Sequence, residues 1–103
     1  MTFGHIIATA RKQANLSQKE LANLLKKEDG QSISPQYLND IERDRRNPPS
    51  AFLIEQFAEI LQIDKDLLYF HAGEIPADIK ELPVDNERVI AAYKAFRRTL
   101  KES

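Results

Sequence analysis

Apolar residues recur along most of this chain at the three- and four-residue spacing of a helix. No stretch sustains the alternation of a half-buried strand, so the pattern predicts helices and no sheet. Phe3, Ile7, Ala10 and Ala14 mark a first helix over about residues 2–14, with Arg11 and Lys12 near its C-terminal end, where the helix dipole favours cations. Asn15-Leu16-Ser17 interrupts it. Ser17 and Glu20 stand at capping-box spacing, and Leu16 and Leu21 occupy the two positions of a hydrophobic staple. A second helix is therefore expected from Gln18 to about Lys27, with Leu21, Ala22, Leu24 and Leu25 facing inward.

The polar segment 26–32 contains Gly30 and reads as a turn. Ser34 then caps a third helix with Pro35 in its first position, where proline's fixed φ and missing N–H cost nothing. Ile33 and Leu38 form a second staple. Only Leu38 and Ile41 make an apolar stripe, which leaves Gln36, Tyr37, Asn39, Asp40 and Arg43 on the other faces. Asn47-Pro48-Pro49-Ser50 stops this helix, and Ser50 offers a cap to a fourth over residues 51–61. Asp64 caps a fifth, stapled by Ile63 and Leu68, which ends near Ala72-Gly73. Glu74 to Pro83, with two prolines, reads as a linker. Asp85 caps a last helix in which Val89, Tyr93, Phe96 and Leu100 are spaced 4, 3 and 4, a narrow seam suited to another helix. The expected organisation is a helical domain over 1–73, a linker over 74–84 and a C-terminal helix over 85–103 that docks or dimerises.

Composition narrows the class. A chain of 103 residues has room for one core, and 42% apolar with 30% charged residues is ordinary for a soluble protein. No apolar run approaches the roughly eighteen residues of a membrane span, so no membrane association is expected. The first residues lack the basic and apolar regions of a signal peptide. The absence of cysteine excludes disulfides and thiolate metal sites and fits a cytoplasmic protein. His5 and His71 have no spaced partners, and no nucleophile motif, glycine-rich phosphate loop or paired-carboxylate signature occurs, so neither catalysis nor a metal or other cofactor is expected.

The net charge of −1 conceals a modest asymmetry. Residues 1–50 hold eight Lys/Arg against six Asp/Glu, and residues 51–103 hold seven against ten. The local cluster Arg43-Asp44-Arg45-Arg46 says more, because phosphate contact needs positive charge at one place rather than overall. Two short helices joined by a turn, the second with a polar N-terminal face, form a helix-turn-helix. A helix fits the major groove of B-DNA, and its first residues reach base edges.

The segments Leu16-Ser17-Gln18-Lys19-Glu20-Leu21-Ala22, Ile33-Ser34-Pro35-Gln36-Tyr37-Leu38-Asn39-Asp40-Ile41-Glu42-Arg43 and Arg46-Asn47-Pro48 fall in the order seen in the XRE-type helix-turn-helix family of phage repressor and Cro proteins, which the chain resembles over about residues 3–72. The turn between the second and third helices looks about seven residues longer than in the shortest phage repressors. The resemblance implies an all-α fold, a five-helix repressor-like domain plus the C-terminal helix. It also implies roles. Gln18 would hold a phosphate. Ser34, Gln36, Tyr37 and Asp40 would lie on the recognition face with Asn39 at its edge, and Gln36 would read adenine through its amide. Arg43, Arg45 and Arg46 would contact phosphates, with one of them placed to enter a flanking minor groove. Arg11 and Glu42 would form a structural ion pair linking the first and third helices.

Alternatives stand beside several of these roles. Tyr37 could pack on the neighbouring turn instead of facing DNA. Asp40, repelled by phosphate, could accept from a cytosine amino group or pair with Arg43 or Arg45. The Val89–Leu100 seam could fold back on its own domain or meet a second copy. The function this resemblance leads one to expect is that of a sequence-specific regulator that binds double-stranded DNA, a repressor occupying a palindromic operator as a homodimer. The alternative is an antitoxin or interaction module that acts mainly through a regulatory protein partner.

Overall fold

The computed structural model describes residues 1–102 and is helical, with no strand among them. The helices are α1 (Phe3–Gln13), α2 (Gln18–Leu24), α3 (Pro35–Glu42), α4 (Ala51–Leu61), α5 (Lys65–Ala72), α6 (Ala77–Lys80) and α7 (Asn86–Lys101). Their starts follow the side chains that can cap them. Thr2, Ser17, Ser34, Asp64 and Asp85 each accept a hydrogen bond from a backbone N–H of the helix they open. Ser50 stands at the N-cap of α4 but makes no such side-chain bond. Its carbonyl alone accepts from Leu53 and Ile54, so the expected cap is a backbone one.

Two boundaries differ from the sequence-based expectation. Helix α2 ends at Leu24 rather than near Lys27, because Leu25 turns extended and its carbonyl accepts from Ile33 N at 3.1 Å. Leu24 is exposed and does not join Leu21, Ala22 and Leu25 inside. At about 100° per residue those three cluster on one arc, and Leu24 falls off its edge. The segment read as a linker contains the short helix α6, started by the Pro76 carbonyl, which accepts from Ile79 and Lys80.

One core holds the body together. Phe3, Ile6 and Ile7 of α1, Leu21 and Ala22 of α2, and Leu38 and Ile41 of α3 meet Leu53, Ile54, Phe57 and Leu61 of α4 and Leu68 and Tyr69 of α5. Phe3 and Phe57 pack edge to face with centroids 6.3 Å apart. Helix α1 lies against α3, α4 and α5, and α2 lies against α3. The core is confined to α1–α5 and the α2–α3 connection, while α6 and α7 bury no side chain.

Helices α4 and α5 are also joined by Tyr69, 1% exposed, whose hydroxyl donates to Glu55 Oε2 at 2.6 Å. Burial and that carboxylate push the phenol up to about 12. A folded-state value above the unfolded one, about 10, gives stability that is complete below pH 10 and lost as pH rises toward the folded value. Alkaline titration followed by circular dichroism should therefore show stability falling from about pH 10 upward. Tyr69→Phe should remove that part of the pH dependence.

Candidate nucleic-acid interface

The first three helices are fastened around a nearly buried carboxylate. Arg11 donates from Nε to Glu42 Oε2 at 2.7 Å and from Nη2 to Glu42 Oε1 at 3.0 Å, and its Nη1 donates to the Leu16 carbonyl at 2.8 Å. Gln18 Nε2 adds a third donor to Glu42, at 3.0 Å, and also donates to Asn39 Oδ1 at 3.1 Å. One carboxylate on α3 thus ties down α1, the loop after α1 and the first residue of α2. Glu42's side chain is 5% exposed, so these donors replace the water its carboxylate would otherwise bind. The same bonds direct Gln18's amide donors into the protein rather than toward solvent. The start of α2 is held by a complete capping box, with Glu20 N donating to Ser17 Oγ at 3.0 Å and Ser17 N donating to Glu20 Oε1 at 2.9 Å. The Ser17 backbone N–H, and after it the Ser17 hydroxyl, hold the Glu20 carboxyl below its ordinary range.

The connection from α2 to α3 is an ordered miniature hairpin. Lys26 and Ser32 form an isolated antiparallel bridge, Lys27 N donates to the Gln31 carbonyl at 2.8 Å, and Gly30 takes the left-handed conformation, φ 88°, at the tip. Gln56 of α4 clamps it from the side. Its Oε1 accepts from Lys26 N, and its Nε2 donates to the Lys26 carbonyl, both at 2.8 Å. The approach to α3 is therefore set by the body of the domain despite the added length.

Helix α3 presents a connected polar face. Ser34 Oγ accepts from Tyr37 N at 3.0 Å, and Gln36 stands exposed one residue past Pro35. Gln36 Nε2 donates to Asp40 Oδ1 at 3.0 Å, and Asp40 Oδ2 faces Arg46 Nε at 3.6 Å. The Arg46 guanidinium also lies over the Tyr37 ring, 4.8 Å from its centroid. Asp40 thus pairs with Arg46, not with Arg43 or Arg45. The pairing follows from the end of α3, where Arg45 N donates to the Asp40 carbonyl at 2.9 Å and the chain doubles back. Tyr37 is half-buried against the core and carries Arg46 on its open side. Asn39 is half-buried too, its Oδ1 shared by Gln18 and by Arg43 Nε at 3.3 Å. Arg43, Arg45 and Arg46 are all exposed beyond the helix.

Two residues that fix this end of α3 carry no functional mark in the sequence. Asp44 adopts φ 56°, and its carboxylate accepts from Thr2 Oγ1 at 2.6 Å and from Gly4 N at 3.0 Å. Gly4 packs so closely that a Cβ there would stand 2.6 Å from the Glu42 carbonyl and 2.8 Å from Asp44 Oδ1, with the Ile41 carbonyl nearer still. A glycine inside a helix start was the only available signal of such close approach. For Asp44 and Gln56 there was none. The seam residues Val89, Tyr93, Phe96 and Leu100 lie apart from this face, exposed along α7, with Phe96 6.4 Å from Phe70 of α5.

A model of the helix-turn-helix family matches residues 7–68, which contain all of α2, α3 and α4. Among solved structures the chain is similar to one in a complex of SinR protein with SinI protein, at 22% identity and a TM-score of 0.55, over 95% of this chain and 99% of that one. That likeness is one of fold. A search of curated proteins returns no match. With α2 and α3 placed as a helix-turn-helix and most of the body matched, the chain belongs to the XRE-type helix-turn-helix family of DNA-binding regulators.

Proposed function

We propose that this protein is a sequence-specific repressor that binds a palindromic operator as a homodimer, each copy laying α3 in the major groove. The observation that carries the reading is the face of α3. Gln36 is exposed at the N-terminal end of a helix clamped from both ends, and three exposed arginines follow its C-terminus. Gln36 keeps one amide proton and its Oε1 free while bonded to Asp40, enough for the two-bond contact with adenine. Ser34 and Tyr37 border the same face. Arg43, Arg45 and Arg46 contact phosphates. Gln18, whose side-chain donors are engaged inside, contributes to a phosphate through the backbone N–H at the start of α2.

Asp40 sets the balance between affinity and discrimination. It neutralises Arg46 in part and holds the Gln36 amide in one orientation. Asp40→Ala should raise affinity for unrelated duplex several-fold by removing a repelled charge and freeing Arg46. It should narrow the gap between preferred and scrambled sites. Paired anisotropy titrations on the two duplexes measure both effects.

A second reading is favoured by α7, whose apolar face is open along its length. The SinR–SinI structure is a complex of two proteins, and on this reading the present chain acts through a regulatory partner held on α7. Binding to the DNA upstream of the protein's own gene, followed against salt, separates the readings. Three arginines in each of two copies predict an affinity drop of about a thousandfold between about 50 and 200 mM salt. Absent or salt-independent binding contradicts the repressor reading.

A further inference from the structure

Arg43, Arg45 and Arg46 stand close together past α3, but their settings differ. Arg43 bonds along the helix, from Nε to Asn39 Oδ1 at 3.3 Å. Arg46 is carried back over α3 and is held there twice. Its guanidinium stacks on Tyr37, 4.8 Å from the ring centroid, and its Nε faces Asp40 Oδ2 at 3.6 Å. Its side chain is nevertheless 55% exposed. Stacking covers a face of the guanidinium and leaves open its edge, where the N–H groups lie. With Nε turned to Asp40, Nη1 and Nη2 remain as a two-pronged fork. The other oxygen of the same carboxylate accepts from Gln36 Nε2 at 3.0 Å. Asp40 therefore sets Gln36 and Arg46 side by side on the polar face of α3.

The acid also bears on what Arg46 binds best. A phosphate is repelled by Asp40 and gains less from a cation that is already partly neutralised. The major-groove edge of guanine is uncharged and offers two acceptors, O6 and N7, which match an arginine fork. A guanidinium held flat on a ring, oriented by an acid and open at its edge fits the guanine. We infer that Arg46 reads a guanine through O6 and N7, at the base pair next to the adenine read by Gln36, with Asp40 and Tyr37 as positioning residues. This role is additional to the phosphate contact, which the neighbouring acid weakens. It rests on the placing of α3 in the major groove proposed above.

Selection from random duplexes with full-length wild type, Arg46→Lys and Asp40→Asn tests the inference, each variant first checked for wild-type helicity. Lysine keeps the charge and lacks the fork. Arg46→Lys should lose about tenfold or more of the preference for one guanine in each half-site and keep the preference for the adjacent adenine. Asp40→Asn, which retains an acceptor for Gln36, should lose part of the same guanine preference. On the selected duplex, 7-deazaguanine at that position lacks the N7 acceptor and should weaken wild type several-fold but Arg46→Lys little. Inosine there keeps O6 and N7, lacks the minor-groove amino group, and should bind as guanine does. An unchanged motif with uniformly weaker binding by Arg46→Lys would overturn the inference and leave Arg46 a phosphate contact. So would sensitivity to inosine rather than to 7-deazaguanine, which would put Arg46 in the minor groove. Both results leave the recognition role of α3 standing. Selection of no motif by wild type would remove that role and the inference together.

Discussion

Arg11→Ala is expected to destabilise the protein by about 3–5 kcal/mol, the usual cost of stripping one partner from a buried ion pair. Glu42 would keep only Gln18 as a donor while remaining out of water. The Leu16 carbonyl would lose the Arg11 Nη1 bond as well. The damage should be positional as well as energetic, because Glu42 is where α1, α2 and α3 meet. Replacing both members with apolar residues of similar volume, Arg11→Met with Glu42→Leu, should recover much of the loss, since the penalty arises from the abandoned charge rather than from the absent attraction. Urea denaturation of the two variants measures this. An Arg11→Ala midpoint close to wild type would mean that the pair does not organise the three helices.

Gly4→Ala is the second large effect. The added methyl would stand against the Ile41 and Glu42 carbonyls and the Asp44 carboxylate, two of them backbone atoms that cannot rotate away. Overpacking of this kind costs about 1–3 kcal/mol and is relieved by moving a helix. The available movement separates the start of α1 from the end of α3, breaking the bonds from Thr2 and Gly4 to Asp44. Arg43, Arg45 and Arg46 lie on that end. Gly4→Ala should therefore weaken binding to all DNA sequences more than its stability loss alone explains, at a temperature where the variant remains folded. Asp44→Ala, which removes the latch without the clash, should reproduce the loss of affinity with a smaller change in stability. Thermal melts and anisotropy on one duplex check both.

The helical architecture was readable because its signals are local. Ser17 and Glu20, Ser34 and Pro35, Asp64, and Asp85 mark helix starts through bonds made within three residues. Apolar spacing identified much of the inward faces, but Ala14 and Leu24 are exposed, Leu24 because of where α2 stops. The stop itself is set by a distant residue, since Gln56 holds the backbone of Lys26 across 30 positions of sequence. Distance also limited the reading of Asp40. Arg43, Arg45 and Arg46 are nearly equivalent as sequence neighbours, and only the reversal after α3 brings Arg46 back onto both Asp40 and Tyr37. Gln18 shows the same limit in the opposite direction. Its place at a helix start suggests an outward amide, but the buried Glu42 draws the amide inward.

The proposed recognition face is thus pre-arranged rather than merely exposed. Asp40 orients Gln36, Tyr37 supports Arg46, and Asn39 links α2 to α3 through Gln18. Such an arrangement lowers the side-chain ordering cost of binding and places the polar groups that distinguish bases.

The central claim is that α3 reads base sequence, and selection from a pool of random duplexes tests it most directly when run with wild type, Gln36→Ala and Arg45→Ala in parallel. Wild type should enrich a site of two inverted half-sites whose centres lie about 10 base pairs apart. Gln36→Ala should lose preference at one adenine in each half-site, worth about 1–3 kcal/mol of discrimination. Arg45→Ala should recover the wild-type motif with uniformly weaker binding. Recovery of no motif, or of the same motif at full strength with Gln36→Ala, would contradict the account.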